Sequence, residues 1–234
     1  MSGPRSARRP APVRAALGVA VAAAGLTAGL VAAPASAAGM ATVNVVHGIP
    51  GVAVKVCVDG QRVVDNFHFG DKIIGARLPA SMHKVRLVAA GRSCHAPAIL
   101  KSRYTLAKGR NYTIVANLDP VGTPNLKAFV NKTKPTATRT ARLTVRHTAQ
   151  APAVNVWADK AKIVAGTNFT WGKGTTLAVP KGTYKVKVTL PGSRQPVIGP
   201  TMKRLAAGRA YQVYAVGAPG HYRLIIVKTH VGTR

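Results

Sequence analysis

The chain repeats itself, and that constrains its fold more than any other feature. Residues 43–59 read VNVVHGIPGVAVKVCVD and residues 143–159 read LTVRHTAQAPAVNVWAD. Val45, His47, Ala53, Val54, Val56 and Asp59 recur one hundred positions later as Val145, His147, Ala153, Val154, Val156 and Asp159. Further on, Phe69-Gly70 matches Trp171-Gly172, Leu78-Pro79 matches Val179-Pro180, and Leu106, Gly109 and Tyr112 match Leu205, Gly208 and Tyr211. Matches kept in order over this length mark a duplication, one structural module used twice. The expected organisation is a first repeat over residues 41–131, a linker over 132–140 and a second repeat over 141–230. The linker, KTKPTATRT, has no apolar residue larger than Ala and reads as extended chain that buries nothing.

Within a copy the apolar period is two. Tyr184-Lys185-Val186-Lys187-Val188-Thr189-Leu190 sets Tyr, Val, Val and Leu on one face and Lys, Lys and Thr on the other, as a half-buried antiparallel strand requires. Val43 to Val46, Val52 to Val58 and Val85 to Val88 alternate or run apolar, and turn pairs such as Asp59-Gly60, Lys108-Gly109, Lys181-Gly182 and Pro191-Gly192 separate the runs. The expected fold is all-β: two tandem immunoglobulin-like antiparallel β-sandwiches, each of seven or eight short strands in roughly 90 residues. Gly109 and Gly208, each before a Tyr-led apolar run, are expected at corners ahead of a central strand.

Residues 1–37 read as a secretory signal. Arg5, Arg8, Arg9 and Arg14 make a basic opening, Ala15 to Ala33 an uncharged apolar run, and Ala35-Ser36-Ala37 a small-residue site with cleavage expected after Ala37. A retained anchor is the competing reading, because the apolar run is close to spanning length; its many Ala and Gly favour cleavage. Pro10 behind the Arg8-Arg9 pair favours Sec-type over twin-arginine export, and no transmembrane anchor is expected in the mature chain. The expected location is secreted or cell-envelope associated. Cys57 and Cys94 are the two cysteines of the chain, and in an oxidising compartment an even pair reads as a disulfide, with two buried free thiols as the alternative.

These motifs, found twice, resemble a family of secreted bacterial β-sandwich domains of unknown function, domain-of-unknown-function family 4397. The carriers are Val43 to Pro50, Ala53 to Gly60, Phe69 to Asp71, Leu78 to Ala80 and Leu106 to Ala116, with Arg146 to Val154 in the second copy. The resemblance implies an exported, often tandem domain without an established activity and transfers no catalytic residues.

Chemistry is limited by composition. The chain has no glutamate, and its five acids (Asp59, Asp65, Asp71, Asp119, Asp159) face 34 Lys and Arg, for a formal charge of +29. Asp59 and Asp159 read as turn residues rather than a catalytic carboxylate pair. The serines after the signal stand in no Gly-x-Ser-x-Gly elbow. Seven histidines show no metal-ligand spacing, and His47 and His147, recurring at the end of the first strand of each copy, read as structural residues bonded to a backbone carbonyl. No cofactor, no metal and no enzymatic role are expected; a hydrolase or metal-dependent enzyme using the histidines is the rival. Positive charge is the largest signal left. Lys84, Arg86, Lys101, Arg103, Arg142, Arg146, Lys185, Lys187, Lys203, Arg204 and Arg223 are expected to project outward and to contact a polyanion. The expected partner is an anionic cell-wall polymer or polysaccharide. Nucleic acid is not expected as a specific ligand, since Trp157, Phe169, Trp171 and Tyr211 are few and fall mostly at core-like positions, and no recognised nucleic-acid motif appears. A ligand-free structural spacer is the third reading.

Overall fold

Alternation of apolar and polar residues produces the same eight strands in each copy. The computed structural model describes residues 39–159, 161–164 and 169–234, the backbone alone for 161–164; the signal and its cleavage site lie outside the described residues. Repeat 1 contains β1 (Met40–His47), β2 (Val54–Val58), β3 (Gln61–Phe67), β4 (Lys72–Pro79), β5 (Met82–Ala89), β6 (Leu100–Thr105), β7 (Asn111–Leu118) and β8 (Pro124–Asn131). Repeat 2 contains β9 (Thr140–His147), β10 (Asn155–Ala158), β11 (Ala161–Val164), β12 (Gly174–Pro180), β13 (Gly182–Thr189), β14 (Pro196–Leu205), β15 (Arg209–Val216) and β16 (Arg223–His230). Among the described residues no helix is long and apolar enough to cross a membrane.

Each repeat is a sandwich of two four-stranded sheets, ordered β4-β1-β7-β8 and β3-β2-β5-β6 in repeat 1, and β12-β9-β15-β16 and β11-β10-β13-β14 in repeat 2. All ladders are antiparallel except the central pairs β1–β7 and β9–β15, which run parallel. A parallel pair needs a long crossover, and here the whole β2-to-β6 segment is the crossover. Inward residues fill the sandwich, Val43, Val45, Val56, Leu87 and Ile114 in repeat 1 and Val145, Val156, Val188 and Val213 in repeat 2. The Leu-x-x-Gly-x-x-Tyr motif builds a corner at the head of the central strand. Leu106 and Leu205 are buried, Gly109 and Gly208 take φ of 71° and 68°, and Tyr112 and Tyr211 Oη accept from Ala107 and Ala206 N–H at 3.0 and 2.8 Å.

The sheet β4-β1-β7-β8 is buried on both faces along its central strands β1 and β7. Its second face carries Val46, Val115 and Phe129, which meet Tyr214, Val216, Ile225 and Val227 of β15 and β16. Within residues 37–234 the two sandwiches therefore stack back to back in four layers. A fully buried side chain of this kind contributes about 1.5–3 kcal/mol, so seven of them make a packed interface rather than a tether. Its rim is polar and pseudo-symmetric. Arg223 lies over the Phe69 ring at 4.6 Å, while Lys127 lies over Trp171 at 4.4 Å and Trp171 Nε1 donates to Leu118 O at 2.8 Å. Backbones touch where Gly217 N–H donates to Gly48 O at 3.1 Å; a Cβ on Gly48 would lie 2.8 Å from Ala116 O and from the Val216 side chain.

This interface corrects the reading of residues 132–140 as chain that buries nothing. Thr136 is 5% exposed, bridges Thr233 and receives a backbone bond from Arg234 N–H. Arg142 draws the segment in, donating to the carbonyls of Lys132, Lys134 and Pro135 at 3.2, 2.6 and 3.3 Å. The sequence suggested free chain because side chains there are polar; backbone carbonyls bonded by an arginine do the anchoring.

Candidate functional site

On β5, Val85 and Leu87 point into the sandwich, so Lys84 and Arg86 point out; on β6, Tyr104 is inward, and Lys101 and Arg103 are exposed. Register sets Lys84 opposite Arg103 and Arg86 opposite Lys101. Like charges directly opposite each other destabilise a sheet, and here two such pairs stand side by side in one shallow depression with Val85 and Ser102. The ion pairs among the described residues engage Lys55, Arg62, His68 and His83, none of these four. Cys57 and Cys94 form a disulfide that fixes the β5–β6 loop against β2, where Cys57, Val88, Cys94 and Ala98 form a small apolar cluster. Cys57 is the register partner of Arg86, and the loop returns Ala96 O to Arg86 Nη2 at 2.6 Å. The disulfide loop thus orients one of the four cations.

Repeat 2 presents Lys185 and Lys187 on the equivalent strand, β13. Trp157 takes the place of Cys57 on β10, half-exposed, with Nε1 donating to Thr189 Oγ1 at 3.1 Å and Lys187 Nζ over its ring at 5.4 Å. Both tryptophans therefore lie under lysines at the surface rather than at core positions, whereas Phe169 and Tyr211 are buried. Lys203, Arg204 and Arg223 gather with Lys72 and Lys228 along a groove between β14 and β16. Arg142 and Arg146 do not project outward as free charges. Arg142 holds the inter-repeat segment, and Arg146 stacks on Phe129 at 4.3 Å and donates to Val130 O at 3.1 Å. Both stand on the face of β9 that looks toward repeat 1, which is why strand alternation alone misplaces them.

The two recurring histidines, His47 and His147, are engaged by backbone. His47 Nε2 donates to Val52 O at 3.0 Å while Nδ1 accepts from Ile49 N–H at 3.3 Å, the neutral tautomer; His147 Nε2 donates to Pro152 O at 2.8 Å. Burial lowers the pKa of both, against the raising effect of those carbonyls. Among the described residues no three His, Cys, Asp or Glu converge as metal ligands. One arrangement was not legible in the sequence. His83, 5% exposed, places Nδ1 2.6 Å from Asp59 Oδ2, and Nε2 3.1 Å from Ser81 Oγ and 2.9 Å from Pro79 O. The atoms follow the order of a Ser-His-Asp triad, but both ring nitrogens face acceptors. Burial pulls the His83 pKa down, and the bonds to Pro79 O and Asp59 outweigh it, so the pKa is raised. With Nε2 facing the Pro79 carbonyl, its hydrogen is directed there and no lone pair is presented to Ser81. Asp59 also accepts Lys84 N–H at 2.7 Å, as Asp159 accepts Lys185 N–H at 2.8 Å, the same turn lock in both repeats.

No curated protein matches the chain. Among solved structures, a likeness is found to the CBMbc module (family CBM26) of Eubacterium rectale Amy13K in complex with maltoheptaose, at 12% identity and a TM-score of 0.25, covering 79% of this chain and 95% of that chain. Residues 41–157 match the family described as Domain of unknown function (DUF4397), half of the chain, spanning the whole of repeat 1 and the first strands of repeat 2. The duplicated β-sandwich described above belongs to the DUF4397 family.

Proposed function

We propose that the chain is an exported, non-enzymatic envelope protein that associates with an anionic polymer through the outer face of β5 and β6. The observation that carries this reading is the double like-charge pairing of Lys84 with Arg103 and Arg86 with Lys101, without ion-pair partners of their own among the described residues. Such a cluster costs stability in the isolated protein and is relieved when a row of phosphates or carboxylates lies across it. The long-range field of the mature chain, still +25 once residues 1–37 and their four arginines are gone, adds encounter rate, and Lys185 and Lys187 give repeat 2 a weaker version of the same face.

Binding of the full chain to poly(glycerol phosphate), with neutral dextran as control, tests the reading. Affinity should fall steeply between 50 mM and 1 M NaCl, where the screening length shrinks to about 3 Å. Replacing Lys84, Arg86, Lys101 and Arg103 together by Ala should weaken binding at least tenfold and flatten its salt dependence, while replacing four other surface lysines should not. Equal loss from both quadruple variants, or retention at 1 M NaCl, would sink the assignment of this face.

A further inference from the structure

The two repeats share a strand plan but not a filled core. In repeat 2 an apolar cavity of about 120 Å³ lies between the sheets, lined by Val156, Ala158, Val186, Leu205, Val213 and Ile226 among others. Registers show where the volume went. His83 faces Tyr104 across β5 and β6, and the same cross-strand position in repeat 2 holds Tyr184 and Lys203. In repeat 1 the Tyr104 ring packs against the core and its hydroxyl donates to Leu126 O at 3.0 Å, closing the seam between β6 and β8. Repeat 2 has Lys203 there, Ala158 where Val58 stands and Val188 where Leu87 stands. The seam between β14 and β16 is correspondingly a groove.

That groove is cationic. Lys72, Lys203, Arg204, Arg223 and Lys228 line it, with no acid among its walls, and Lys203, Tyr211, Leu224 and Ile226 line groove and cavity alike. Three of the five are partly engaged, Lys72 Nζ with Ile226 O at 2.9 Å, Arg223 Nη1 with Phe69 O at 3.3 Å and Lys228 Nζ over the Tyr211 ring at 5.9 Å. We infer that repeat 2 binds a small anionic amphiphile, its single short apolar chain in the cavity between the sheets and its anionic head on Lys203 and the neighbouring cations of the β14–β16 groove. The size fits: a dry apolar cavity of roughly 150 Å³ takes a benzene-sized guest, so a short alkyl or aryl group fits here and a full lipid chain does not. The apolar wall supplies affinity and the cations supply the sign of the head group.

The site is separate from the β5–β6 face, and its test separates the two. The full chain is titrated with hexyl sulfate, hexanol and inorganic sulfate by calorimetry. Hexyl sulfate should bind at one saturable site, at least tenfold tighter than hexanol, with sulfate unbound; affinity should rise about fourfold per methylene from ethyl sulfate upward until the cavity is full. Lys203→Tyr, which installs the repeat 1 plug, should abolish this binding and raise thermal stability, and Ala158→Leu serves as a second filling variant. Lys203→Met should erase the preference for hexyl sulfate over hexanol. The quadruple Ala variant of the β5–β6 face should bind hexyl sulfate as the parent does. Unchanged binding in both filled variants, or loss of binding in the β5–β6 variant, overturns the assignment.

Discussion

Tyr214 offers the sharpest test of the back-to-back stack. It is fully buried, packs its ring 5.9 Å from that of Phe129 on the other repeat, and directs its hydroxyl toward Asn131 Oδ1 at 3.5 Å. If the repeats were independent beads on a tether, Tyr214 would lie on an exposed sheet face, and Tyr214→Ala would cost no more than about 0.5 kcal/mol. In the packed interface the same change removes a large aromatic from a closed site and should cost about 3–5 kcal/mol. For a chain of this size that is a fall in Tm of about 6–20 °C. Differential scanning calorimetry reads both consequences. The parent should melt in one transition, and Tyr214→Ala should melt lower and split into two as the repeats uncouple. Tyr214→Phe keeps the ring and should lose about 1 kcal/mol at most. A loss below about 1 kcal/mol for Tyr214→Ala with an unchanged melting profile would refute the packed interface.

Two further outcomes follow from repeat 1. Replacing Cys57 and Cys94 by Ser opens a loop with a sequence separation of 37 and should cost about 4 kcal/mol by chain entropy, measured as a fall in urea midpoint that dithiothreitol reproduces in the parent; no difference would mean the crosslink constrains nothing. His83 has a raised pKa in the fold, so its stabilising share is fully present below the unfolded histidine value of about 6.5 and is lost as pH rises through the higher folded value. The stability gap between the parent and His83→Gln should therefore shrink from pH 6.5 upward; a gap that widens with pH would contradict the raised pKa.

Much of repeat architecture was legible because it depends on local chemistry repeated in order. Alternation at Tyr184 to Leu190 predicts a half-buried strand, the Gly109 and Gly208 corners require a residue at ease with positive φ, and the isolated pair Cys57 and Cys94 marks a crosslink. The inter-repeat interface also left a trace that period-two reasoning passes over. Ile114-Val115-Ala116, Tyr214-Ala215-Val216 and Leu224 to Val227 are uninterrupted apolar runs, and a strand buried on both faces reads that way. The cation cluster was only half legible: alternation places Lys84, Arg86, Lys101 and Arg103 outward on their own strands, but their opposition needs the β5–β6 register.

By itself, then, the sequence determined an all-β chain built from one unit used twice, with the periodicity of its strands, its corner glycines and its surplus of positive charge. These follow from steric preference and composition, which act within a few residues of chain. Tertiary structure alone decided which faces are surfaces. It set the parallel pairing of β1 with β7, turned Arg142 and Arg146 from outward charges into interface donors, and converted a Tyr104-to-Lys203 difference between repeats into a cavity. Each of those depends on strands far apart in sequence meeting at a particular register, and burial and volume are properties of the assembled sheets rather than of any one strand.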